Sequence, residues 1–264
     1  MRERFLSLAD AVWRAPKTFF VVMAGLAVLA ASTVVFLGAS EDVIGRNGAA
    51  KLDATRLSWF TDHRSTPLVA VARFFDTAAS VAVVALLAIG VGIWLWRRGL
   101  PAIVAAAPLA AVAVSELVAG VLKVTVDRPR PGGGLRLVAE TDPSFPSGHA
   151  TAAMAFGVSV AVIVVLFVLR RRWSRVVTLT LGVLLPTVIG ASRLELGVHW
   201  PTDVVAGLAL GACAALAVSG LAVWFAARQP GESSPAAGRV PVLRSHITSI
   251  MRRRRVSEPL LVTA

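Results

Sequence analysis

Runs of apolar residues alternate with short polar breaks six times along this chain. The runs cover 18–38, 77–96, 101–122, 150–169, 176–192 and 202–226. Each is long enough, or nearly so, for a helix to cross a bilayer core, which takes about 20 residues. Alanine, valine, leucine and glycine dominate them. The two-residue alternation of a membrane barrel is absent, so helices are the expected spanning element. An amphipathic lead-in from Pro67, containing Arg73 and Asp76, precedes the second run. The fifth run is the shortest and carries Pro186, which predicts a kink. The expected fold is all-α, a six-transmembrane-helix bundle, with no internal repeat.

Composition agrees with that pattern. Hydrophobic residues make up 56% of the 264 and charged residues 16%, and the mean hydropathy is +0.73. A soluble domain carries about a quarter charged residues. Cys213, the single cysteine, rules out an intrachain disulfide and reads as a small buried hydrophobe. The net charge of +12 would suggest nucleic acid for a soluble protein. Here the charges flank apolar runs, so they report topology and no nucleic-acid partner is expected.

Of the 27 Lys and Arg residues, 17 lie in the N-terminus, the 97–100 and 170–175 loops and the C-terminal tail. The positive-inside rule then puts both termini in the cytoplasm. The loops at 39–76, 123–149 and 193–201 face outward. Trp13, Trp94, Trp96, Trp173, Trp200 and Trp224 fall near expected helix ends, as interfacial anchors do. Arg2 and Arg4 precede a first run too long for a signal peptide, so it reads as an anchor. The expected organisation is a cytoplasmic N-terminus at 1–17, a membrane domain at 18–226 and a basic, disordered cytoplasmic tail at 227–264. The block Arg252–Arg255 is either a topology determinant or a contact for anionic lipid heads. The expected location is the inner (plasma) membrane, with membrane lipids as neighbours; the oligomeric state is left open.

The polar residues that need an explanation gather in the outward loops. Lys123, Arg130 and Pro131 follow the third run, and Pro146-Ser147-Gly148-His149 opens the fourth. Ser192-Arg193 and His199-Trp200-Pro201-Thr202-Asp203 bridge the fifth and sixth. A helical bundle can bring these three clusters together. Lys123, Arg130 and Arg193 supply cations suited to a phosphate. Ser147 and Gly148 stand at a helix start, where free N–H groups favour an anion, and glycine lets the backbone approach closely.

His199 and Asp203 share a helix face if a helix begins near Pro201. A carboxylate holding one ring nitrogen leaves the other free to attack. His149 remains to protonate the leaving oxygen. Two histidines and an aspartate also suit zinc. Three cations against one carboxylate oppose it, so no metal or other cofactor is expected. Taken singly, each residue has a plain structural reading: a snorkelling cation, a satisfied histidine, a helix-start proline, an acid at a helix N-terminus. Their co-occurrence on one side argues against those readings.

These residues resemble the type 2 phosphatidic acid phosphatase superfamily, whose signature is Lys-x6-Arg-Pro, Pro-Ser-Gly-His and Ser-Arg-x5-His-x3-Asp. The chain carries Lys123-x6-Arg130-Pro131, Pro146-Ser147-Gly148-His149 and Ser192-Arg193-x5-His199-x3-Asp203. The resemblance runs from about 77 to 226, with the layout of the bacterial membrane members. It implies a metal-independent phosphatase with its active site at the outer (periplasmic or extracellular) membrane face. In it, His199 is the nucleophile forming a phosphohistidine, Asp203 its orienting partner and His149 the general acid. Lys123, Arg130, Ser147, Gly148 and Arg193 bind phosphate. Glu116, seven residues before Lys123, and Pro146 are candidates to stand just behind the site. Glu116 reads equally as a protonated structural acid.

The expected substrate is a lipid phosphate or diphosphate, either polyprenyl diphosphate or phosphatidic acid and phosphatidylglycerophosphate. A lipid-linked phosphotransferase can use the same residues. A transporter of anions or lipids is the alternative of another class, and it lacks the repeats and broken helices such proteins use.

Overall fold

In the computed structural model of the chain, residues 16–228 are described, with side chains from Phe20 onward. The basic tail, Trp13 and the N-terminal arginines lie outside them. The described chain is helical. α1 (Pro16–Gly45) leads through a 3-10 turn at Gly48–Leu52 into α2 (Asp53–Asp62), α3 (Thr66–Ala78) and α4 (Val81–Arg97). A single turn, α5 (Ala102–Ala105), precedes α6 (Ala107–Val126). After a long loop come α7 (Gly148–Phe167), α8 (Arg172–Glu195) and α9 (Pro201–Arg228).

Among the described residues, five helices are long and apolar enough to cross a membrane by themselves. A sixth crossing arises if α3 and α4, which meet at 61°, count as one broken span. The sequence pattern thus finds the spans, and the amphipathic lead-in of the second run is the separate helix α3. The first part of the expected outward loop at 39–76 divides between the end of α1, the 3-10 turn and the short helix α2. α2 is tied down by buried Leu57 and Asp53. α8 runs as one helix through Pro186, the residue expected to kink it.

The outer surface of the bundle is apolar. Val34, Leu86, Leu117 and Val124 are all exposed, as a lipid-facing surface requires. Inside, small residues let helices approach closely, the means by which helices associate in lipid. α7 and α9 form the closest pair. A Cβ on Gly207 would stand 2.7 Å from the Ser147 carbonyl oxygen, and one on Gly211 would overlap the Thr151 carbonyl. Farther along the same seam, Ser159 and Ser219 share a buried hydrogen bond of 2.9 Å. Cys213 is half-buried, and its Sγ lies 3.5 Å from Thr33 Oγ1 on α1. It is thus a contact between helices rather than a fully buried hydrophobe.

The packing fixes which helix ends meet. The C-terminal ends of α6 and α8 and the N-terminal ends of α7 and α9 bear the signature residues. Gly211→Leu is expected to cost about 1–3 kcal/mol through overpacking and to lower the melting temperature of the detergent-solubilised protein. An unchanged melting temperature counts against the close α7–α9 seam.

Candidate active site

Each functional side chain is delivered by a local feature of the chain. α6 ends at Asp127 in a left-handed conformation (φ 44°), one that Asp tolerates better than most residues. The turn carries Arg128 and Arg130 back across the bundle end. A cis Phe145–Pro146 bond precedes Ser147, the N-cap of α7. α9 opens on Pro201, a favoured first helical residue. Asp203 reaches back to accept the Trp200 N–H at 2.9 Å, half of a capping box. The carboxylate therefore caps the helix and faces the site with the same oxygen.

All eight expected site residues come together. Buried His199 has its Nε2 3.1 Å from Arg130 Nη1 and its Nδ1 3.5 Å from Asp203 Oδ2. Nδ1 makes no hydrogen bond, so the Asp203 carboxylate stands near it but farther away than the expected bond requires. Arg130 also donates to the Val198 carbonyl at 2.8 Å. Ser147 donates its N–H to the Asp203 carbonyl at 3.1 Å, which ties α7 to α9. Its hydroxyl is buried without a partner, an orphan donor at a helix start. His149 donates from Nε2 to the Asp76 carbonyl at 3.0 Å. Glu116 stands next to Gly148, where a Cβ would lie 3.5 Å from its Oε2. It is half-buried, and its Oε1 lacks a partner. Pro146 is buried behind Ser147.

Three carboxylates that the sequence reading left out meet the cations. Asp142 accepts from Lys123 at 2.7 Å and from Arg130 at 2.8 Å. Glu140 accepts from Arg193 at 2.6 Å and lies 3.6 Å from Arg130. Asp76, at the end of α3, pairs with the other arm of Arg193. The expected balance of three cations against one carboxylate therefore does not hold. The charge count no longer argues against a divalent ion. Arg193 is fully buried, and losing either partner would strand a charge there.

A second layer lies behind Asp203. Arg128 donates to Asp203 Oδ1 at 2.5 Å, to Thr202 Oγ1 at 2.7 Å and to Asp53 Oδ2 at 2.6 Å. Trp200 covers it, with the guanidinium 5.6 Å from the ring centroid and the indole N–H bonded to the Pro129 carbonyl at 2.8 Å. Trp200 is therefore part of the site's wall, in addition to standing at a helix end. Arg64 closes the ring from outside, donating to the Glu195 and Leu135 carbonyls at 2.7 Å each. Arg128 was readable in the sequence, two residues before Arg130. Asp53 carried no signal there.

Electrostatics set the resting state of the loop histidine. Burial first, then the charges of Arg130, Arg193, Lys123 and His149, push His199 well below the imidazole range. It is neutral near pH 7 as a result. Placing its proton on Nδ1, toward Asp203, leaves the Nε2 lone pair to accept from Arg130.

An all-helical, multi-pass membrane protein with cations and histidines converging at one end of the bundle is the class that fold and site define. Residues 104–226 match the PAP2 superfamily. The matched segment is just under half of the chain and contains every signature residue named above. It is 33% identical to phosphatidylglycerophosphatase B of Bacillus subtilis over 124 residues, 47% of this chain and 59% of that protein. It is 38% identical to an undecaprenyl-diphosphatase of Sulfolobus acidocaldarius over 71 residues, 27% of this chain and 30% of that one. The aligned segment thus spans from about a third to three-fifths of these relatives' lengths. A transmembrane PAP2-type phosphatidylglycerolphosphate phosphatase of Bacillus subtilis shares the fold, with a TM-score of 0.64 at 22% identity. That match covers 75% of this chain and 94% of the solved one.

Partial burial alone would raise the Asp142 carboxyl; hydrogen bonding and charge from Lys123, then Arg130, outweigh it and lower it to about 2. Its folded value lies below the unfolded one. Its contribution to stability is therefore present above the usual carboxylate range and lost as pH falls toward about 2. Titration of labelled aspartate in micelles, assigned with Asp142→Asn, is expected to find this low midpoint. A midpoint at or above 3.8, the ordinary value, would contradict the pairing.

Proposed function

We propose that the chain is a metal-independent lipid phosphatase that works through a phosphohistidine on His199. The observation that carries this reading is His199 itself: buried and neutral, with Nε2 on a guanidinium and Nδ1 facing a carboxylate. A phosphoryl group arriving at Arg130 takes that N–H and releases the Nε2 lone pair. Nε2 then bonds to phosphorus as the ester or anhydride P–O bond breaks. Asp203 stabilises the positive charge that grows on the ring. His149, in its protonated form, gives a proton to the leaving oxygen. Water next attacks phosphorus, passes a proton to His149, and breaks the N–P bond to free phosphate.

Lys123, Arg130, Arg193 and the N-terminus of α7 at Ser147–Gly148 hold the phosphoryl oxygens. Asp76, Glu140 and Asp142 are each already committed to a cation, which supports chemistry run by these side chains without a metal. The clustering of basic residues at the opposite loops supports an outward-facing site and cytoplasmic termini.

Three observations support a lipid substrate. The site opens at the end of a bundle whose flanks are apolar. The relatives named above act, by name, on phosphatidylglycerophosphate and undecaprenyl diphosphate. An apolar cavity of about 220 Å³ lies between α2, α3 and α8, lined by Trp59, Phe60, Leu68, Phe75, Val188 and Ala191. Ser192, on its wall, adjoins Arg193 in sequence. The cavity suits the first stretch of a hydrocarbon chain.

Phosphate release from phosphatidic acid, phosphatidylglycerophosphate, polyprenyl diphosphate and p-nitrophenyl phosphate, with chelator present, tests the reading. Turnover is expected to survive chelation and to fall about a thousandfold or more in His199→Ala. Retention of hydrolysis in that variant, or its loss with chelator, would overturn the mechanism. Ala191→Trp, which fills the cavity, is expected to raise KM for the lipids about tenfold and leave p-nitrophenyl phosphate unaffected. Equal effects on both kinds of substrate would remove the cavity from substrate binding.

A further inference from the structure

The short helix α2 lies in a part of the chain that carries none of the signature residues, yet it sends one carboxylate into the bundle end. Asp53 is 2% exposed. Its Oδ2 accepts from Arg128 at 2.6 Å and from the Thr202 hydroxyl at 2.5 Å, and its Oδ1 accepts the Thr202 N–H at 3.1 Å. The same guanidinium holds Asp203 Oδ1 at 2.5 Å. Asp203 is fully buried. Water therefore plays little part in orienting it; the Trp200 N–H holds one oxygen, and Arg128, itself fixed by Asp53 and Thr202, holds the other.

Charge gives this arrangement a purpose beyond orientation. A single arginine bonded to a single buried carboxylate cancels its field. With Asp53 on the other arm of Arg128, the cluster holds two carboxylates and one guanidinium. One negative charge is left over beside His199. It offsets the positive charge that the ring acquires on bonding to phosphorus. Thr202 locks the geometry, since its hydroxyl accepts from Arg128 while donating to Asp53. We propose that Asp53 and Arg128 are positioning residues of the reaction, holding Asp203 toward His199 and keeping its charge uncancelled. This inference rests on the phosphohistidine reading above.

The role differs from that of the other buried ion pairs at this end. Arg193 with Asp76 and Glu140, and Lys123 with Asp142, sit on the cations that receive the phosphoryl group. Changes there should alter binding. The Asp53 network touches only the back of the nucleophile's partner, so changes there should alter the chemical step.

The experiment compares the full-length parent with Asp53→Asn, Asp203→Asn, the double variant and His199→Ala, in detergent with p-nitrophenyl phosphate. Melting temperature serves as the check on folding. Asp53→Asn is expected to lower kcat about tenfold, with KM within about twofold, and to slow trapping of the phosphorylated protein equally. In the Asp203→Asn background it is expected to add nothing, because Asp53 acts through Asp203.

Should Asp53→Asn fail to fold, Thr202→Val and Thr202→Ser carry the test. The valine variant loses the bridging hydroxyl and is expected to lose kcat, while the serine variant keeps both. A wild-type kcat in Asp53→Asn overturns the proposal, and so do full additivity with Asp203→Asn and equal kcat for Thr202→Val and Thr202→Ser. If His199→Ala retains turnover, the phosphatase mechanism falls and this inference with it. If that variant is inactive while Asp53→Asn matches the parent, only the positioning role falls.

Discussion

Burying charge at the end of an apolar bundle is the constraint on which the rest of this structure depends. A cation removed from water needs a partner within hydrogen-bond reach. Arg193 has Asp76 and Glu140; Arg130 has Asp142, Glu140 and His199; Arg128 has Asp53 and Asp203. These partners come from the end of α3, the 128–144 loop, α2 and the start of α9. The charge pairs therefore tie together the same segments that apolar clusters around Leu57 and Ala72 join. α2 docks by Asp53 as well as by Leu57. The loop before α7 is held down by Glu140 and Asp142 together with buried Phe145 and the packing of Leu137 and Val138.

The helical seam supplies the precision. Gly207 and Gly211 bring α9 against the first turns of α7. Ser147, at the head of one helix, then bonds the Asp203 carbonyl of the other. Without that approach the N-terminus of α7 and the capping acid of α9 would not share one pocket. Glycine is needed at these positions because a side chain there meets backbone, which cannot yield.

The fold was largely legible in the sequence, because a membrane span is written in length and hydropathy. The six apolar runs match the spans, and the lead-in with Arg73 and Asp76 became α3. The eight signature residues were legible for a different reason: their types and spacing carry chemistry that apolar neighbours cannot. The countercharges were not. Glu140 and Asp142 sit in an irregular loop where no periodicity fixes a direction. Asp53 lies roughly 75 residues before its partner Arg128. An acid in a polar loop looks solvated until the tertiary fold shows what it faces. That omission misled the charge count at the site. The contact of Trp200 with Arg128 was likewise not legible, since a tryptophan at a helix end gives no sign of which side chain it covers.

The pairing of Lys123, Arg130 and Arg193 with three carboxylates bears on how any anion comes and goes. The cations are not bare: Asp142 and Glu140, both in the loop before α7, already hold them. Any anion entering here would compete with these tethered counterions, and displacing them would return part of the electrostatic gain. Such an arrangement favours exchange over tight capture.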